Sequence, residues 1–204
     1  TMYRKDVGLI KEHVSNKGSD GLVDVIEFVL CTIQAGLSTV KAQRQDIKDK
    51  DIHSKFLWGQ KRCGLVYARD NKDFLWSRLQ YLLEKGARKP ETCEEAIKLL
   101  MKVPNLGMVK AAFVAQCLGF NVACIDSHNL KRLGMKYSEV TVSKGASKAL
   151  IDKRVSNYVK LTQQKGSAYW WNTWCKHVAG NRANKKLLTG RKVSAYHVEC
   201  IVSI

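Results

Sequence analysis

Two parts of this chain could do chemistry together. One is the run Val103-Pro104-Asn105-Leu106-Gly107-Met108-Val109-Lys110-Ala111-Ala112-Phe113; the other is Asp126, a short way downstream in Cys124-Ile125-Asp126-Ser127-His128. Pro104, one of only two prolines, stops one helix. An Asn-Leu-Gly turn comes next, and a helix of small residues opens at once. This geometry leaves amide N–H groups of the turn and the new helix without partners, and such amides at a helix N-terminus hold a phosphate well. A carboxylate beyond that helix can then act on a nucleotide whose backbone the turn has fixed. It could stabilise positive charge developing on the bound group and orient a water. Asp126 equally suits the N-cap of a helix opening at Ser127; the two roles are compatible.

The charge balance points to a polyanion. The 204 residues include 35 Lys and Arg against 18 Asp and Glu, a net charge of +17. Solubility alone is served by a net charge of about 2–8, so the excess indicates nucleic acid. It gathers late in the chain, where Lys153, Arg154, Lys160, Lys165, Lys176, Arg182, Lys185, Lys186, Arg191 and Lys192 face a single acid, Glu199. That pattern predicts a phosphate-binding surface. No apolar run reaches the roughly 18 residues of a membrane span, and residues 1–14 lack a signal-peptide core. The expectation is an intracellular protein, without membrane attachment and monomeric.

The seven cysteines are odd in number, dispersed and set mostly among apolar residues, as reduced core cysteines are. A zinc site can be drawn from Cys175, His177, His197 and Cys200. Its Cys-x-His half falls in a predicted helix, where residues i and i+2 face apart. No metal and no organic cofactor are expected.

The turn and Asp126 resemble the hairpin and catalytic aspartate of the helix-hairpin-helix DNA glycosylase superfamily (the endonuclease III type). Phe28-Val29-Leu30-Cys31-Thr32-Ile33-Gln34-Ala35 is similar to the family's helix end that carries an intercalating glutamine, and the run from Asn71 and Lys72 to Lys102 has the family's length and helix rhythm. The resemblance covers roughly residues 20–135. It implies an all-α, two-lobed fold, with one lobe at 20–125 containing the hairpin. The second is built from 1–19 and 126–204, and Asp126 lies at the mouth of a DNA-binding cleft between them. The implied activity is excision of a damaged or modified base flipped out of double-stranded DNA.

By the same resemblance, Asp126 is catalytic and His128 stands beside it as a supporting residue. Gln34 fills the hole left by the extruded nucleotide, and Asn105, Leu106, Gly107, Val109 and Lys110 hold DNA. The chain departs from the family at three places. Val109 occupies the position of the Schiff-base lysine, which implies a monofunctional enzyme using water rather than a lyase. Lys110 is turned about 100° from that position and is expected on phosphate. Asn105 replaces the first hairpin glycine, a substitution asparagine tolerates because it enters the left-handed region readily. The four-cysteine iron–sulfur cluster of many relatives is absent, since only Cys175 and Cys200 lie in that region. Two alternatives stay open: a DNA-binding module without hydrolysis, and a base-modifying transferase acting on modified pyrimidines.

The elements that must position these residues read as helical almost throughout. Leu22, Val25, Ile26, Val29 and Ile33 make a buried helical stripe, and a Lys- and Gln-rich helix begins near Ser38. A helix over 70–84 turns Phe74, Leu75, Leu79, Leu82 and Leu83 inward and ends at Gly86. Thr92 with Glu95 reads as a capping box. Helices come next at 109–118, at 127–133 closed by Gly134, and at 148–164 broken by Gly166. The helix after Gly166 has Ala168, Trp171, Trp174, Cys175 and Val178 on its apolar face. Trp170, off that face, is expected to reach nucleic acid, and Trp58 and Trp76 to be buried. Strand-like alternation occurs only in short pieces such as 193–204.

Overall fold

The computed structural model describes residues 2–143, 145–180 and 193–203, and among them every regular element is helical. The helices are α1 (Met2–Lys17), α2 (Ser19–Cys31), α3 (Val40–Lys50), α4 (Gln60–Asp70), α5 (Lys72–Gly86) and α6 (Pro90–Leu100). They continue with α7 (Met108–Cys117), α8 (Ser127–Leu133), α9 (Lys148–Gln163), α10 (Ser167–Gly180) and α11 (Val193–Val202). No helix among the described residues is long and apolar enough to cross a membrane.

Helix α2 is the centre of the packing. Every residue from Val25 to Cys31 is buried, as expected of a helix enclosed on all sides. It touches α1, α3, α4, α5, α7 and α11. Gly21 lets α1 come close, because a Cβ there would stand 2.7 Å from Val14 Cα. Gly64 does the same for α4: a Cβ would overlap the Pro104 carbonyl oxygen, so this helix lies directly against the hairpin turn.

One apolar cluster takes in residues from α1 through α11. Helix α1 packs on α10 and α11, while α9 packs on α6. Within this core Arg44 is fully buried, donating to Glu27 at 3.0 Å, to Asp24 at 3.3 Å, and to the carbonyls of Cys200 and Ile201. Burial pushes the Glu27 carboxyl up and Arg44 pulls it back down.

Several local expectations change. Of the strand-like stretch at 193–204, Val193–Val202 form helix α11; Tyr196, His197, Val198, Cys200 and Ile201 are all buried, so no polar stripe marks its period. The helix expected over 70–84 is α5, separated from α4 at Asn71, whose side chain caps Tyr67 O at 2.9 Å. Phe74 points outward at 53% exposure, and Trp58 is 51% exposed with the Lys61 ammonium 5.0 Å from its ring. Trp76 is half-buried. The Thr92–Glu95 capping box does not form. Pro90 opens α6 earlier, as proline at N1 does, and Thr92 donates back to Lys89 O and Gly86 O.

Candidate functional site

Asp126 sits in the loop between α7 and α8, and three helices clamp that loop. Gln116 of α7 accepts the Cys124 N–H at 3.1 Å. The Tyr158 hydroxyl of α9 accepts the Ile125 N–H at 2.9 Å and donates to Ala123 O at 2.8 Å. Trp174 of α10 reaches the carboxylate itself, its indole N–H donating to Asp126 Oδ2 at 2.7 Å. The other oxygen, Oδ1, caps α8 by accepting the Asn129 N–H at 2.9 Å. Thus Asp126 is an N-cap, and its second oxygen is held separately. Gly134, in the left-handed region, closes α8.

This carboxylate lines a cavity of about 940 Å³, at the upper end of the usual range for ligand pockets. Residues on both sides of position 125 build the wall: the end of α2 through Gln34, the hairpin, α7, the Asp126 loop, α10 and α11. Asn105, Gly107, Val109 and Lys110 line it as well. Asn105 has φ 69°, so it takes the glycine-like conformation the turn demands. Gln34 is also left-handed, φ 53°, and exposed. For a long unbranched side chain this backbone is uncommon, and such residues concentrate at functional sites. Leu106 is buried in the core, its N–H is bonded to Val103 O at 3.0 Å, and it does not line the cavity. The His128 side chain lies outside the described residues, as do Arg182, Lys185, Lys186, Arg191 and Lys192 of the basic cluster.

Lys110 turns inward rather than toward an outer phosphate surface. Its ammonium donates to Thr32 Oγ1 at 3.1 Å and forms part of the cavity wall, 5.7 Å from the Phe113 ring centroid. Trp170 is buried with its N–H taken by Thr162 O at 2.9 Å, and it too lines the cavity.

The aromatic wall is hidden in the sequence. His197 of α11 is 2% exposed and stacks on Trp174 at 4.7 Å and 29°. Phe28, Phe113 and Trp171 meet the same imidazole edge-on or tilted. Burial, and secondarily the Lys110 charge, push the imidazole down to about 3, so it is neutral at pH 7. Its Nδ1 is buried without a hydrogen-bond partner. Tyr137, 67% exposed, adds an aromatic ring to the cavity lining. Trp174 reads as core in the sequence because it shares the apolar face with Trp171 and Cys175; only its edge N–H, which no periodicity reports, makes it part of the site. Cys175, His177, His197 and Cys200 do not converge, and no group of three or more metal-ligating side chains occurs among the described residues.

No protein-family model, curated protein or solved structure matches the chain.

Proposed function

We propose that this protein is a monofunctional DNA glycosylase, which takes a flipped-out damaged or modified base into the Asp126 cavity and hydrolyses its bond to deoxyribose. One arrangement carries the reading: Asp126, with an N–H on each oxygen, shares an aromatic-walled cavity with the hairpin residues Asn105, Gly107 and Lys110 and with Gln34. A flat ring suits walls made by Phe113, Trp171 and Trp174. A fixed carboxylate beside it suits a sugar that becomes cationic as the base leaves. The net charge of +17 suits a DNA partner, and the resemblance of the hairpin to helix-hairpin-helix glycosylases agrees with all three.

In this reading the hairpin holds the backbone beside the lesion, and Gln34 occupies the gap left in the duplex. Asp126 stabilises the oxocarbenium-like state and receives a proton from the attacking water. A second reading, a DNA-binding module without hydrolysis, draws on the capping bond from Asn129, which alone would account for an aspartate at this position.

The test is Asp126→Asn assayed on duplexes carrying a panel of modified bases, with alkali cleavage revealing abasic sites. The variant is expected to keep DNA affinity and lose base release by at least about a hundredfold. Equal loss of binding and release would make Asp126 a structural cap alone. Wild-type protein that binds the whole panel and releases nothing would favour the binding module.

A further inference from the structure

Breaking an N-glycosidic bond puts an electron pair on the departing base, and that charge needs a proton as much as the sugar's positive charge needs a carboxylate. An ionised Asp126 accepts hydrogen bonds on both oxygens and has no proton to give. The donor must come from elsewhere in the wall.

We infer that Lys110 is the acid that protonates the departing base. The inference rests on the glycosylase reading and adds a second catalytic residue to it. Lys110 is the one cationic side chain among the described residues lining the cavity, and Asp126 the one anionic. The Lys110 ammonium is bonded not to that carboxylate but to a hydroxyl, Thr32 Oγ1, at 3.1 Å. Thr32 spends its own proton on Val29 O at 2.6 Å, so its lone pair faces the lysine and fixes the direction of the ammonium. An ammonium has three donors, and this leaves two for a ligand.

The other acidic groups in the wall are poor candidates. The His197 imidazole, at about 3, carries no second proton at neutral pH. Burial pushes the Cys124 thiol up to about 12. Tyr137 is two-thirds exposed on a three-residue turn.

The balance of the step is simple. The bond between C1′ and the base nitrogen breaks, with the pair going to the base. Lys110 Nζ gives one proton to the base and becomes an amine. Water adds to C1′ and its proton passes to Asp126. The net change is one water added across the bond, and both side chains return to their resting states through solvent.

The test compares full-length wild type, Lys110→Gln, Lys110→Arg and Asp126→Asn on a base that wild type releases and on its ring-halogenated analogue, a better leaving group. Lys110→Gln is expected to slow release of the parent base by about 10²–10⁴-fold and of the analogue by clearly less. Asp126→Asn should slow both alike. Lys110→Arg keeps the charge but not a transferable proton, so it should behave as Lys110→Gln does and carries the comparison if the glutamine variant does not fold. Equal losses on both bases in the Lys110 variants would overturn the inference and leave the glycosylase reading standing. So would a borohydride-trapped protein–DNA adduct that Lys110→Gln abolishes, since it would make Lys110 a nucleophile. A wild type that releases no base overturns both.

Discussion

Substituting alanine at Gly64 and at Gly8 tests whether α4 presses on the hairpin turn. Both glycines lie inside helices, so each alanine gains about 0.5–1 kcal/mol from the lost freedom of the unfolded chain. Their surroundings differ. A Cβ at Gly8 meets nothing within 4 Å, and Gly8→Ala should show the gain in full. A Cβ at Gly64 overlaps Pro104 O and lies 3.3 and 3.4 Å from the two methyls of Leu30. Overpacking of this kind costs about 1–3 kcal/mol, and here the clash is with backbone, which cannot rotate away. The two variants should therefore differ by about 1–3 kcal/mol, Gly64→Ala being the weaker. For a chain of this size that separates their melting temperatures by about 2–12 °C, readable by circular dichroism. Gly64→Ala should also weaken DNA binding, because relief of the overlap moves the hairpin, whereas Gly8→Ala should leave binding unchanged. Equal stabilisation by the two alanines would refute the contact.

Trp174→Phe removes the N–H that holds Asp126 Oδ2 at 2.7 Å while leaving a ring to stack on His197. A hydrogen bond to a charged group contributes about 1.5–3 kcal/mol, and this one is only part-buried, so base release should fall about tenfold with DNA affinity intact. Undiminished release in kinetic assays would count against a positioning role. DNA affinity should fall steeply with salt, by roughly 0.9 in log affinity per log salt for each phosphate neutralised; a flat response in fluorescence titrations would assign the +17 charge to solubility. His197 gives a pH signature. Its folded-state value, about 3, lies below the ordinary 6.5, so its contribution to stability is complete above pH 6.5 and declines as pH falls toward 3. The decline is about 1.4 kcal/mol per pH unit, or roughly 2 kcal/mol by pH 5. Denaturation at pH 7 and pH 5 should show His197→Phe losing that much less than wild type, and identical losses would refute it.

Features that obey a helical period or a turn rule were legible in the sequence. The α2 stripe, the inward leucines of α5, the hairpin with Asn105 and the α8 segment from its Asp126 cap to Gly134 all stand where the residues predict. Illegible were the residues whose role depends on direction rather than on face. Lys110 comes one position after Val109, and no pattern tells which way its long chain turns; Thr32 settles that. Trp170 and Trp171 are adjacent and both buried, because α10 is wedged among α1, α9 and α11. The aromatic wall joins α7, α10 and α11, backed by Phe28 of α2, and its members lie far apart along the chain.

Arg44 sets an order on the making of this protein. Its guanidinium is buried against Glu27 and Asp24, yet two of its partners are the carbonyls of Cys200 and Ile201, 156 and 157 residues later. During synthesis at about 5–20 residues per second, that leaves roughly 8–30 s in which the arginine has emerged and its last acceptors have not. Throughout that interval α2 and α3 hold a charged group that has no finished burial site, and the face of the cavity that His197 completes stays open. A ribosome stalled before residue 197 would therefore display Trp174 without the imidazole that stacks on it, and a cavity without the part of its wall that α11 supplies, even if the hairpin is already formed.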